Sequence, residues 1–415
     1  MTYNMTLTLT IKNFGPFKES LIELKPLTVF IGRNSLGKSL LLRLLWGLSS
    51  AKPKDLDKEL AGLKAKRDSL SLKDKEKVRE YAKLYMKAFS ISLVKGVEKR
   101  INEVLSTAGE ITVSSELATL RIKLNESKIE PSLDQLVEIE VRRTSPLGIV
   151  FRAKEAENTE ENILSKDDLD DVLLVNSFYF TFSLFYPLFN PDETVFLIDG
   201  RASLTEFLPT PERSMKLYSF LDTVSRDYIT SYYRLLSDFD KGKVDLSMLR
   251  DFFDELGFSL KLIESDGVKS PYVEMWNRVT LPLSQSPSGI RESLSMALAL
   301  GNEDISVVYI EEPEAHLHPR AQRIIAKLMA KALKKGKHIF LTTHSDYLLY
   351  SISNLIALSR KEIALDPNSV VVYLLKREAD FTKIEKVKVD EEGISEEEFT
   401  KVAEEILDER DYIFG

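Results

Sequence analysis

The tightest constraint on this chain is the octapeptide GRNSLGKS at Gly32 to Ser39, which satisfies the spacing GxxxxGK[ST]. The residues just before it, Leu27 to Ile31, are apolar and β-prone, and Leu40 to Leu48 has helical spacing, so the glycines sit at a strand-to-helix turn. A turn of that kind points backbone N–H groups outward from a helix N-terminus, where the helix dipole adds partial positive charge. Gly32 and Gly37 let Arg33, Asn34, Ser35 and Leu36 wrap closely around an anion, and Leu40 carries the chain into the helix. Lys38 reaches the outer phosphates and Ser39 offers a hydroxyl to Mg²⁺. The ligand class that fits such a loop is a nucleoside polyphosphate.

Composition limits what can surround the loop. A chain of 415 residues with 43% hydrophobic and 29% charged residues is long enough for two or three domains with sizeable cores. Its net charge of −8 gives no overall basic bias toward nucleic acid, which leaves only a local basic patch for that purpose. There is no cysteine, so disulfides and thiolate metal sites are excluded. The N-terminus MTYNMTLTLTIKNF lacks the basic-then-apolar pattern of a signal peptide, and a cytoplasmic location is expected. Glutamine occurs only at Gln135, Gln285 and Gln322 amid abundant Lys and Glu, a composition that resembles heat-adapted proteins and points to a thermophile. The most apolar run, Val172 to Phe189, is interrupted by Asn176, Ser177, Thr181, Ser183 and Pro187; it predicts a buried helix or strand and no membrane span.

Periodicity organises the rest. Strands are expected at Thr6 to Ile11, Leu21 to Leu24 and Leu27 to Ile31, then a helical pair from Pro53 to Ser106 with Gly109 as its stop. Apolar and polar residues alternate between Ile111 and Phe151, which predicts antiparallel strands that extend the N-terminal sheet. Lys154 to Asp171 reads as a loop or weak helix, and Pro209 and Pro211 open a helical region from Arg213 to Leu256. Further on, a strand at Val307 to Ile310, a helix from Pro319 to Lys335 closed by Gly336, and a strand at His338 to Thr342 form a βαβ unit. Strands near Val370 to Leu375 and Ile384 to Val389 and a helix from Glu396 to Leu407 complete the pattern.

After the apolar strand VVYI come Glu311, Glu312 and Pro313, a Walker B arrangement at a strand's C-terminal end, where ligands bind in an open α/β sheet. Glu311 can hold Mg²⁺, and Glu312, pointing elsewhere, can orient or deprotonate the attacking water. The next strand delivers His344, within reach of a γ-phosphate, followed by Ser345 and Asp346. His316 and His318 flank Leu317 near Glu314, but two ligands at i and i+2 without a third make a poor closed metal site, and a loop role is expected. The small-residue turn SQSPSGIRE opens a helix at Ser288 and Gly289, whose N–H groups either meet phosphate or only cap the helix.

The order GRNSLGKS, SPSGIRE, VVYIEEPEAHLHP, TTHSD resembles ATPases of the ABC, SMC and RecF class. More narrowly, EEPEAHLHP and TTHSD are similar to the AAA-domain ATPases related to the overcoming-lysogenization-defect proteins, and VFLIDGRASLTEF around Arg201 looks like a strand and turn of that family. The resemblance implies an α/β fold, an ABC-type P-loop NTPase head with a mixed sheet and a helical insertion between Walker A and the signature. Residues 1–50 and 270–365 would form the ATPase core, 51–269 an insertion (helical pair, antiparallel strands, helical region) and 366–415 a C-terminal strand-strand-helix extension. It further implies ATP and Mg²⁺ as ligands. Two heads would pair head to tail in the ATP state, with Ser288 and Gly289 of one head against the phosphate loop of the other. Two positions depart from the family pattern: Pro287 stands where relatives carry a serine, and only Gln135 is a candidate for the Mg²⁺-linked glutamine. The roughly fifty residues after Leu365 are too few for the nuclease domain of some relatives. The expected activity is ATP hydrolysis by a homodimer in a DNA-linked process such as repair or defence against mobile elements. The alternative is an ATP-dependent switch that recruits or restrains a separate effector protein without acting on DNA. A transporter-type role is disfavoured, since no membrane partner is indicated.

Overall fold

The computed structural model describes residues 7–105, 107–116, 118–124, 132–135, 138–142, 147–153, 156–157, 161–163, 166–207, 218–265, 267–358, 365–395 and 400–414. Strands β1 (Leu7–Phe14), β2 (Phe17–Leu24) and β3 (Leu27–Gly32) lead into helix α1 (Lys38–Ser49). Helices α2 (Leu56–Ala61), α3 (Lys64–Ser69) and α4 (Lys75–Val104) follow. Next come β4 (Gly109–Ser114), β5 (Ala118–Leu124), β6 (Ser132–Gln135), β7 (Glu138–Arg142), β8 (Leu147–Ala153), β9 (Ala156–Glu157), β10 (Glu161–Ile163) and α5 (Lys166–Phe185). The chain continues through β11 (Thr194–Leu197), α6 (Arg201–Phe207), α7 (Thr223–Asp240), α8 (Leu246–Leu256), β12 (Phe258–Ser265), β13 (Val268–Met275), β14 (Thr280–Pro282) and α9 (Ser288–Gly301). It ends with β15 (Val307–Glu311), α10 (Pro319–Lys334), β16 (His338–Thr342), α11 (Asp346–Ala357), β17 (Val370–Arg377), β18 (Thr382–Val387), β19 (Val389–Asp390), β20 (Gly393–Ile394) and α12 (Thr400–Phe414). Contacts divide the chain into two units, one of Met1–Leu24, Arg43–Asp192 and Ala379–Phe381, the other of Lys25–Leu42, Glu193–Glu378 and Thr382–Gly415.

The second unit is built on a six-stranded mixed sheet of order β11-β15-β16-β3-β17-β18. Its first five strands are parallel and β18 runs antiparallel at the edge. Every residue of β11, β15 and Leu27 to Ile31 is buried, the continuous apolar pattern expected of strands covered on both faces. Parallel strands need crossovers, and α10 between β15 and β16 is the one the sequence marked most clearly. Because the strands run the same way, their C-terminal ends gather at one edge. The sheet draws β11 from inside the stretch 51–269 and β17 and β18 from 366–415, so its strands come from well beyond 1–50 and 270–365. Of the helical region expected from Arg213, α7 and α8 are formed, and residues 208–217 lie outside the described residues.

The first unit carries an antiparallel sheet of order β2-β1-β4-β5-β6. In β5, Ala118, Leu120, Ile122 and Leu124 face inward, as the alternation predicts. The strands after β6 do not extend this sheet: β7, β8 and β10 pair among themselves, with β9 beside β8. The expected helical pair is three helices, because α2 stops at Gly62 and Asp74 restarts the chain by accepting a hydrogen bond from Lys77 N. The apolar run forms the body of α5, where Asn176 Nδ2 donates to Val172 O at 2.9 Å and satisfies a buried polar group locally. Among the described residues no helix is long and apolar enough to cross a membrane.

Helix α4 depends on a glycine. The segment after α1 crosses it at Ser92 and Gly96, with Lys54 N donating to Ser92 O at 2.9 Å and Ser92 Oγ donating to Lys54 O at 2.8 Å. A Cβ added at Gly96 would stand 1.9 Å from Lys52 O. Alanine in a helix interior is ordinarily better than glycine by about 0.5–1 kcal/mol. Here the clash with backbone reverses that sign, and Gly96→Ala is expected to destabilise by about 1–3 kcal/mol, the cost of overpacking. A thermal melt checks it: the variant unfolds a few degrees lower, and an unchanged or higher midpoint contradicts the packing described.

Candidate functional site

Of the five strand ends that gather at the sheet edge, those of β3, β11, β15 and β16 lead into the residues of the site, which begins with β3. Its last residue, Gly32, has φ +133°, and the loop continues through Ser35 at φ +65° and Gly37 at φ +95° before α1 starts at Lys38. The turn shape is thus set by three left-handed or glycine-only conformations. Gly32 is required twice over, since a Cβ there would lie 2.5 Å from Leu375 O on the paired strand β17. Arg33, Asn34, Ser35 and Ser39 are exposed, Leu40 is half-buried and Leu36 anchors the loop in the core. Lys38 is 6% exposed, and its ammonium donates to Gly32 O and Arg33 O, both at 2.9 Å. Burial lowers its pKa, opposed by the charges of Glu312 and Glu314. The residues fit a polyphosphate: a concave N–H-rich turn, a helix N-terminus and a cation already held over the loop.

Strand β15 ends at Glu311, which is 2% exposed and whose Oε2 accepts from Asp199 N at 3.1 Å, just past β11. Glu312 then takes φ +44°, an uncommon conformation for a residue with a Cβ, held as its N–H donates to Thr342 O at 3.1 Å. That kink sends the two adjacent carboxylates in different directions. Glu312 Oε1 lies 3.7 Å from His344 Nε2, and its pKa is raised by burial first and by the charges of Asp199 and Glu314 next. His344, past the end of β16, has its pKa lowered by burial and by Lys38, so the imidazole is neutral at pH 7. Lys38, Glu311, Glu312 and His344 therefore share one neighbourhood. Ser39 and Glu311 are the residues available to hold Mg²⁺, and with so few protein ligands the ion would be completed by phosphate oxygens and water.

The signature turn opens α9 at Ser288, with Pro287 before it and no side chain capping the helix. Gly289 packs against the loop that follows β15, where its Cβ would sit 2.9 Å from His316 O. His318 caps α10, its Nδ1 accepting from Arg320 N at 3.2 Å, and His316 is exposed at φ +59°, both loop roles. Gln135 ends β6, and its side chain lies outside the described residues.

Several contributors escaped the motif reading. Glu314 Oε1 accepts from His344 N at 2.7 Å and so sets the loop that presents the imidazole. Gln322 joins two turns, its Nε2 donating to Leu317 O at 3.0 Å while its Oε1 accepts from Ser345 Oγ. Asp199 backs Glu311, and Arg201 and Glu292 form an ion pair with both side chains at 0% exposure. One signal was present: Glu292 is the lone carboxylate of the helix SGIRESLSMALALG, just before its apolar run, and such a group needs a buried cation.

The family described as "AAA domain, putative AbiEii toxin, Type IV TA system" matches residues 27–349. No curated protein matches the chain. Among solved structures, an SMC head bound to the C-winged helix domain of ScpA is 11% identical with TM-score 0.46, covering 92% of this chain and 98% of that one. The SMC head domain from Thermotoga maritima is 12% identical with TM-score 0.38, over 92% and 99% of the two chains. A Smc head with an extended coiled coil, bound to the C-terminal domain of ScpA derived from Pyrococcus furiosus, is 13% identical with TM-score 0.40, over 97% and 99%.

The raised pKa of Glu312 carries a stability consequence. A carboxyl whose folded pKa lies above its unfolded value of 4.5 binds more protons in the native state, so stability falls as pH rises above that value and a cost is carried at pH 7. Glu312→Gln removes the charge and is expected to raise the thermal midpoint at pH 7 without ligand. The gain stays under about 1 kcal/mol, because 38% of the side chain is solvent-exposed and screened. Melts at pH 7 and at pH 4 test this: the advantage at pH 7 disappears at pH 4, and a variant less stable at pH 7 contradicts it.

Proposed function

We propose, from the premise that the chain belongs to this AAA-domain family of ABC/SMC-class P-loop ATPases, that it binds MgATP at Gly32 to Ser39 and hydrolyses it at the edge formed by β3, β15 and β16. The observation that carries this reading is the left-handed Glu312, which separates the two carboxylates into different roles. Lys38 neutralises the outer phosphates, Ser39 and Glu311 serve the metal, Glu312 orients and deprotonates the attacking water, and His344 donates to the γ-phosphate. Mg²⁺ held by Ser39 and Glu311 would supply charge neutralisation for the phosphates. Burial and the charges of Asp199 and Glu314 raise the pKa of Glu312 in the free protein, the direction that strengthens a base.

The uncapped N-terminus of α9 at Ser288 and Gly289 supports a head-to-tail homodimer in the ATP state, each signature turn completing the other copy's site. The process we favour is DNA-linked defence or repair in the cytoplasm. The family's description as a toxin supports defence, and the strings EEPEAHLHP and TTHSD support the narrower kinship with overcoming-lysogenization-defect ATPases. The net charge of −8 favours a second reading, in which dimer closure recruits or restrains a separate effector protein without touching DNA. Stimulation of turnover by DNA selects the first, and its absence the second.

Turnover of Glu312→Gln is expected to drop by about a hundredfold or more, the scale of general base catalysis, with ATP still bound and an ATP-dependent dimer accumulating. Glu311→Gln is expected instead to weaken nucleotide retention and the Mg²⁺ dependence. Single-turnover hydrolysis with nucleotide-binding calorimetry distinguishes them. Wild-type turnover by Glu312→Gln would remove it as the base.

A further inference from the structure

Among the described residues Arg201 is the largest fully buried side chain, at 0% exposure, yet it lies outside every nucleotide motif. Its guanidinium is spent almost wholly on backbone carbonyls. Nη1 donates to Leu197 O at 3.1 Å, to Ile198 O at 2.7 Å and to Glu311 O at 2.8 Å, and Nη2 donates to Glu312 O at 3.3 Å. The remaining edge faces α9: Nε donates to Glu292 O at 3.0 Å, and Nη2 stands 3.0 Å from Glu292 Oε1. Glu292 Oε2 in turn accepts from Ala202 N at 2.6 Å. One planar fork thus joins the end of β11, the end of β15 and the helix whose first turn is Ser288 and Gly289.

Two features make this more than packing. The carbonyls of Glu311 and Glu312 are consecutive, so the fork holds both peptide planes that flank the left-handed Glu312 and thereby fixes where its carboxylate points. Glu292 sits one helical turn after Gly289, on the same side of α9, and α9 moves as a unit because its backbone bonds are internal. A displacement of the signature turn therefore acts on Glu292, through it on Arg201, and through Arg201 on the Glu312 backbone. The ion pair is buried, so the linkage cannot be relaxed by water. A lysine could pair with Glu292 but could not hold four carbonyls in one plane.

We propose that Arg201 is a positioning residue that carries engagement of the signature turn to Glu312, so that the base is aligned only when α9 meets the second copy's nucleotide. The inference rests on the reading of the chain as a head-to-tail ATPase dimer. It names a control of that same site.

The test compares wild type, Arg201→Lys and Glu292→Gln, each checked for folding by circular dichroism, in steady-state MgATP hydrolysis with nucleotide affinity measured separately. The phosphate loop is untouched in both variants, so ATP affinity and KM are expected within about threefold of wild type, whereas kcat falls at least about tenfold in Arg201→Lys and about threefold or more in Glu292→Gln. A loss confined to kcat, in protein whose active fraction counted by stoichiometric ATP binding equals that of wild type, is the signature of lost alignment and not of a weakened fold. If Arg201→Lys does not fold, Glu292→Gln carries the test, since it keeps the shape of the pair and the Ala202 contact. Folded variants with wild-type kcat overturn the role of Arg201 while leaving the ATPase reading intact. A wild-type protein that binds MgATP without turning it over overturns both.

Discussion

The parallel pairing of β15, β16 and β3 is the constraint on which the rest of the second unit depends. Glu311 stands opposite Thr342 and Thr342 opposite Phe30, so the residues that follow these strands emerge side by side at one edge. A one-residue slip in either register would turn Glu311 to the other face of the sheet and carry His344 away from Glu312. The registers are secured by burial, because β15 and β16 present Val308, Tyr309, Ile310, Ile339, Phe340 and Leu341 to a core that admits none of them to water. The stacking of Tyr309 on Phe340, with ring centroids 4.9 Å apart, adds a contact specific to this alignment. Chemistry at the edge is therefore bound to hydrophobic packing a few residues away.

That edge holds more negative charge than positive. Beside burial, the charges of Asp199, Glu314 and Glu311 raise the Glu312 pKa, while Lys38 is the one cation opposing them and is engaged with the carbonyls of its own loop. Such a cluster is costly without a ligand, and a metal bound with a nucleotide, as proposed above, would relieve it. The strained backbone of Glu312 is consistent with this, since an unfavourable φ persists only where surrounding bonds enforce it. Thr342 enforces it from one side and Arg201 from the other.

What could be read from the sequence was local. The phosphate loop, the carboxylate pair and His344 each sit at the end of a short apolar strand, and strand, turn and helix signals within a dozen residues agree. The partners brought in by tertiary contact were not legible. Nothing in TVFL announces that β11 pairs with β15, more than a hundred residues later, because short apolar strands are interchangeable until the sheet is assembled. Arg201 stood in a strand and turn that resembled a family segment without a role of its own, and only the lone carboxylate of Glu292 in its helix hinted at a buried cation. The break between α2 and α4 was blurred by charged residues whose spacing suits any exposed helix, and it was set by the cap at Asp74. The separate pairing of β7 and β8 was hidden because alternation reports a strand's faces and is silent about its neighbour.

On the function proposed above each ATP site is completed by a second copy of the chain, and mixing two inactive variants tests this. Lys38→Ala destroys the phosphate loop but leaves the signature turn. Ser288→Asp leaves the loop and suits its helix N-terminus, yet places a carboxylate where the second copy's phosphates would lie. Each alone is expected to hydrolyse MgATP at background rate. Their equimolar mixture should recover about a quarter of wild-type activity, since half the dimers are mixed and each mixed dimer has one intact site of two. A mixture no more active than its components, or full activity in Ser288→Asp alone, would mean that the site is complete within one chain.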